Sequence, residues 1–127
     1  MLGLNKVMLM GEVGEKAELR YTPDGTAVAC FTIGVSHATA TSSGKLQRGT
    51  DWFSVVTWRE LAERCEEELE PGVAVYVEGR LRNHIWRDAL GRQMVRTEVI
   101  AEKLVVLTAD DGAYAEKYTD YEYQWRD

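Results

Sequence analysis

The sequence is poor in the residues that build catalytic and metal centres. Its 127 residues include only two cysteines and two histidines. Cys30 and Cys65 lie far apart and offer no paired spacing for zinc. Cys65 falls in a helical stripe and Cys30 in a strand, so both are expected to be structural, buried thiols. His37 and His84 have no Cys or His partner at ligand spacing, and Glu66-Glu67-Glu68 reads as the wet side of a helix. An enzyme shows a nucleophile–base set or a metal cluster. Neither is visible, so no catalysis, metal or cofactor is expected. No apolar run approaches the roughly 20 residues of a membrane span, and the N-terminus lacks a signal-peptide pattern. The expectation is a cytoplasmic protein with no membrane partner. The only two prolines, Pro23 and Pro71, both read as punctuation.

What is present suits one soluble domain: 45% hydrophobic and 28% charged residues, with a net charge of −6. A negative chain looks unsuited to a polyanion, but its acid is segregated. Residues 1–107 hold 13 Lys/Arg against 15 Asp/Glu, and residues 108–127 hold 2 against 6. Within the first segment, residues 59–70 hold 2 basic and 6 acidic side chains. Without that stretch the body carries 11 basic against 9 acidic residues, so the overall sign does not exclude a polyanionic ligand.

The order of elements predicts the fold. Alternating apolar residues place a first strand at 7–13, with a short extension at 19–21 closed by Thr22-Pro23-Asp24-Gly25. A second strand covers 27–36. Residues 38–49 are small and polar and read as a long hairpin tip. A third strand covers 51–58. A helix covers 59–70, because Leu61, Cys65 and Leu69 recur every four residues with Ala62 beside them; Pro71-Gly72 stops it. A fourth strand runs over 73–86, and a turn at 88–91 leads to a fifth at 93–107. Three strands, a helix and two strands fit an all-β, five-stranded Greek-key barrel of the oligonucleotide/oligosaccharide-binding (OB) fold, its helix between strands three and four. Residues 108–127 form a separate acidic tail with several aromatics, expected to be flexible. A mobile anionic segment of this kind would compete with a polyanionic ligand for a cationic face.

Side chains alternate faces along a strand. In the fourth strand Val73, Val75, Val77, Leu81 and Ile85 form an expected core face. The opposite parity carries Tyr76, Glu78, Arg80, Arg82, His84 and Trp86. In the third strand Trp52, Ser54, Val56 and Trp58 share one side, with Phe53 and Val55 on the other. Flat rings beside guanidinium groups can stack bases and neutralise phosphates of a single strand. Trp52, Trp58 and Trp86 are therefore the expected stacking residues. Arg80 and Arg82 are the leading phosphate contacts, with Lys6, Arg20, Lys45, Arg48, Arg87 and Arg96 as weaker ones and His84 beside them.

The motifs L-N-K-V-M-L-M-G, E-L-R-Y-T-P-D-G-T-A-V-A-C-F-T, T-D-W-F-S-V-V-T-W-R-E-L-A-E, V-Y-V-E-G-R-L-R and T-E-V-I-A-E occur in order between residues 4 and 107. Together they resemble the bacterial single-stranded DNA-binding protein family. The resemblance implies a nucleoid-associated homotetramer that coats single-stranded DNA in replication, recombination and repair, without sequence specificity. The family's stacking aromatics fall on Trp52, Trp58 and Trp86. A further family aromatic falls at Thr39, where this chain has none. The family recruits replication and repair proteins through an acidic tip closing on Pro-Phe, whereas this sequence ends Y-E-Y-Q-W-R-D. Such proteins are candidate partners without the usual means of recruiting them. The rival expectation is an OB-fold scaffold subunit of a replication-restart or mobile-element complex with weak DNA binding.

Overall fold

The computed structural model describes residues 2–107. Six strands and one helix follow in the order β1 (Val7–Val13), β2 (Glu18–Tyr21), β3 (Ala27–Ala40), β4 (Leu46–Trp58), α1 (Glu60–Glu68), β5 (Ala74–Arg87) and β6 (Gln93–Val106). They form one sheet in the order β1-β5-β6-β4-β3-β2, which β1 closes by also pairing with β3. β1 and β2 both pair with β3, so they are the two halves of one bent strand. The architecture is the expected five-stranded barrel with one helix. The residues of the tail, 108–127, lie outside the described residues.

The inner face is apolar because alternate residues of each strand are. Ala29, Ile33, Val55, Val75 and Val77 are fully buried, with Phe31 and Val99 nearly so. α1 closes one end of the barrel through Ala62, Cys65 and Leu69, each without exposed surface. Leu69 is already in extended conformation as the C-cap, so the helix is shorter than its apolar spacing suggests. Arg64 fastens the helix to the sheet by donating from Nη1 to the Leu104 carbonyl at 3.0 Å. Among the described residues, no helix is long and apolar enough to cross a membrane.

Three expectations need correction. The long polar tip at 38–49 is mostly strand: β3 and β4 stay paired out to Ala40 and Leu46, which leaves 41–45 as the turn. Small polar residues form strand here because the ladder already formed below them fixes the register. Cys30 is not buried but exposed, because it sits on the outer face of β3. The third correction concerns β5. Val75 and Val77 are buried as expected, yet Leu81 is 43% and Ile85 57% exposed. β1 pairs with β5 no further than Gly79, and β4 pairs with β6 no further than Val99, opposite Leu81; beyond that β5 and β6 continue as a two-stranded arm. The expected core face therefore ends where the barrel ends.

At Gly79 the register shifts, with Glu102 as the extra residue of β6. The bulge turns the buried parity of β6 from Val99 and Ala101 to Leu104, so one strand serves both arm and barrel wall.

Closure depends on a close approach. A β-carbon on Gly11 would collide with the backbone carbonyl of Gly34 on β3. Backbone cannot move aside as a side chain can. Gly11→Val should therefore lower stability by about 1–3 kcal/mol, the usual cost of overpacking a tight site. Urea unfolding would register this, and an unchanged midpoint would show that β1 can retreat from β3.

Candidate nucleic-acid interface

The outer face is assembled from side chains of one parity on β3, β4, β6 and β5. Register places Cys30 beside Val56, Val56 beside Ile100 and Ile100 beside Arg80. Val56 and Ile100 are buried, so this row forms an apolar floor. Farther along, Thr32 pairs with Ser54, Glu98 with Arg82, Gly34 with Trp52, Arg96 with His84 and Met94 with Trp86.

Trp52 is 59% exposed although its indole lies against the barrel. A β-carbon on Gly34 would sit 2.8 Å from its Cζ3 and 2.9 Å from its Cη2, and one on Gly14 would collide with the same ring. Two glycines thus form a bare floor under the indole. The six-membered ring lies close against both glycines, while more than half of the residue is open to solvent.

Trp58 is half-buried at the end of β4, opposite Val28. With Thr22, Asp24, Thr26 and Arg59 it lines a shallow cleft of about 420 Å³. The hydroxyl of Thr22 hydrogen bonds to Asp24 and holds its carboxyl below the usual range. Trp86 lies on the arm, 38% exposed, and stacks on His84 with ring centroids 5.4 Å apart. The structure therefore leaves all three tryptophans on the outer face, at three separate stations.

The cations fall into two groups. Arg80 and Arg48 are exposed and make no hydrogen bond or ion pair among the described residues; the same holds for the ammonium of Lys45 in the β3–β4 turn. The others are engaged: Lys6 with Glu78 at 3.6 Å, Arg20 with Glu18 at 3.1 Å, and Arg87 with the Gly91 carbonyl at 2.9 Å. Arg82 donates from Nη2 to Glu98 Oε1 at 3.1 Å, and Arg96 Nη2 stands 3.7 Å from Oε2. Sequence reasoning missed Glu98, although its parity in T-E-V-I-A-E places it on this face. It also missed Gly14 and Gly34, whose role shows only once β3, β4 and the bend after β1 are side by side.

Exposed indoles, a glycine floor and unpaired arginines on one barrel face make a surface for stacking and for anions. Residues 4–107 match the single-strand binding protein family. The chain belongs to that family. It is 41% identical over 111 residues to "Single-stranded DNA-binding protein 1" of Chlorobaculum tepidum, covering 87% of this chain and 68% of the relative. Among solved structures it resembles the Plasmodium falciparum SSB in complex with ssDNA. That similarity has a TM-score of 0.79 at 26% identity and covers 85% of this chain and 98% of the other. For a member of the single-strand binding protein family, an open stacking surface of this kind is the feature to test.

Gly34→Ala tests it directly. The new methyl group must push the Trp52 indole off its floor, while the strand itself can tolerate alanine. The emission of Trp52 should become more accessible to acrylamide, read as the difference between Gly34→Ala and Gly34→Ala/Trp52→Phe. Unchanged quenching would mean that the ring does not rest on this glycine.

Proposed function

We propose that this chain binds single-stranded DNA without sequence preference and coats it during replication, recombination and repair. The observation that carries this reading is the open face of Trp52 on its glycine floor, within a family of single-strand binders. A base has two flat faces whatever its identity, so an indole supported from below accepts any base from above. The unpaired Arg80 and Arg48 supply charge for the backbone between stacked bases. Trp58 and Trp86 offer stacking stations towards the helix end and along the β5–β6 arm. Binding of this kind uses no cofactor and no bond-breaking step. With DNA as ligand, the cytoplasmic nucleoid is the place of action.

Titration with oligo-dT, following tryptophan fluorescence, tests the proposal. Trp52→Ala or Trp86→Ala should each cost about 1–3 kcal/mol of affinity, the usual size of one base–aromatic stack. Circular dichroism should show both variants folded, since both rings lie outside the core. Log affinity should fall with log salt by about 0.7 for each phosphate neutralised, with similar slopes for oligo-dT and oligo-dA. A flat salt response, or full affinity in both variants, would overturn the assignment.

The working unit we propose is a homotetramer. Met10, Tyr76 and Val105 stand side by side across β1, β5 and β6, with Met8 63% and Val105 37% exposed. This apolar strip follows the outer wall around the barrel from the tryptophan face, so copies joined through it leave the stacking surface open. Light scattering should return about four times the chain mass at micromolar concentration. A monomer there, or an unchanged assembly in Met8→Glu/Val105→Glu, would show that this strip joins no subunits.

A further inference from the structure

Glu98 is the only charged residue buried among the described residues. It stands on the outer face of β6, opposite Arg82 of β5, in the middle of the surface assigned to an anionic ligand. Its carboxylate is shared. Oε1 accepts a hydrogen bond from Arg82 at 3.1 Å, and Oε2 faces Arg96 at 3.7 Å. The side chain of Glu98 is 8% exposed, against 38% for Arg82 and 54% for Arg96.

These two contacts are unequal. A carboxylate so far removed from water needs a cation beside it, because an unpaired buried charge is strongly unfavourable. Arg82 fills that need at ordinary hydrogen-bond length. Its Nε is itself buried with no hydrogen-bond partner, so the side chain is seated rather than waving in solvent. Arg96 stands farther out, and 3.7 Å is an ion-pair distance beyond hydrogen bonding. Arg96 is 54% exposed and regains water when it moves away, and Arg82 stays to neutralise the carboxylate. Arg96 therefore leaves Glu98 at smaller cost than Arg82, whose departure strands the buried charge.

We propose that Glu98 is an internal stand-in for a phosphate, which keeps Arg82 as its permanent counterion and releases Arg96 to the DNA backbone on binding. This rests on the single-strand reading above and changes the role of Arg82. Arg82 becomes a positioning residue that neutralises Glu98, and Arg96, with the unpaired Arg80, meets the strand. The cluster of two arginines and one glutamate carries one net positive charge, so it neutralises one phosphate rather than two.

A double-mutant cycle in the full-length chain, with oligo-dT over a range of salt, separates the two roles. Arg82→Ala should weaken binding, because the charge of Glu98 then faces the DNA. Adding Glu98→Gln should recover most of that loss. Glu98→Gln alone frees Arg82 and should steepen the salt slope by about 0.7, so that a fourfold rise in salt removes roughly two- to threefold more affinity than in the wild type. Equal losses in Arg82→Ala and in the double variant would mean that Arg82 binds phosphate directly, and would overturn the proposal. Glu98→Gln preserves the side-chain shape, so its slope decides the matter even if Arg82→Ala does not fold; an unchanged slope overturns the proposal. If the wild type lacks salt-dependent affinity for oligo-dT, the single-strand reading falls with it. If the wild type has that affinity and the Glu98→Gln slope is unchanged, this inference alone falls.

Discussion

The structure turns on the crossing of the bent first strand over β3 at Gly34. β1 must pair with β5 on one side and reach β3 on the other, or the sheet stays open. At the crossing, Val13 donates to the Val73 carbonyl at 2.9 Å and Gly14 to the Thr32 carbonyl at 2.9 Å. Backbones this close leave no room for a β-carbon on Gly11. Two neighbouring glycines, Gly14 and Gly34, make room on the outside for the Trp52 indole. Barrel closure and the seat of Trp52 therefore both rely on bare backbone at this crossing. A flat ring can lie on a sheet only where the sheet has no side chains, and the bend supplies such a place.

Much of this was legible in the sequence because alternation is a local property. The parities of Trp52, Ser54, Val56 and Trp58 against Phe53 and Val55 hold in the structure. So do the inward Leu61 and Cys65 of the helix and the order of elements, although Leu69 is buried from an extended residue just past the helix. The misreadings share a cause. Leu81 and Ile85 have the right parity for a core, but parity cannot say whether another layer lies beneath a strand. The apolar alternation continues past Gly79, whereas the barrel does not. Residues 38–40 and 46–49 look like loop by composition, yet the β3–β4 ladder that begins at Val28 and Trp58 carries them into strand. Glu98 was hidden for the opposite reason: an acid of exposed-looking parity turns out to be buried beside Arg82 of the neighbouring strand and Arg96 of its own.

Charge on the outer face is more restrained than the count of basic residues suggests. Lys6, Arg20, Arg82 and Arg96 each stand beside a carboxylate. The exposed pair of Arg20 with Glu18 contributes little to stability, and every one of these carboxylates lowers the positive potential that an approaching anion meets. The acid of α1 sits at the closed end of the barrel, with Glu60 and Glu63 in its first turn and Arg64 turned onto Glu68. The face is left with a few uncommitted guanidinium groups rather than a continuous basic field. On the reading proposed above, affinity for a polyanion then rests on stacking as well as on charge.

The stacking stations also differ in what holds them. Trp52 rests on the wall of a closed barrel whose inner side is packed with Ile33, Val55 and Phe31. Trp86 is carried by a two-stranded arm with both faces in solvent, and an isolated hairpin is marginal in water. The arm is held by short-range devices. Thr97 donates to Asn83 across the strands at 2.9 Å, and Ile85 pairs with Val95. Asp88 closes the tip by accepting from the backbone of Leu90 and Arg92, both at 2.9 Å, which also holds its carboxyl below the ordinary range. These bonds fix the hairpin's own register but tie its tip to nothing in the barrel. The proposed stacking surface therefore joins one aromatic side chain seated on the barrel wall, Trp52, and another, Trp86, carried on a hairpin whose register is set by its own cross-strand bonds.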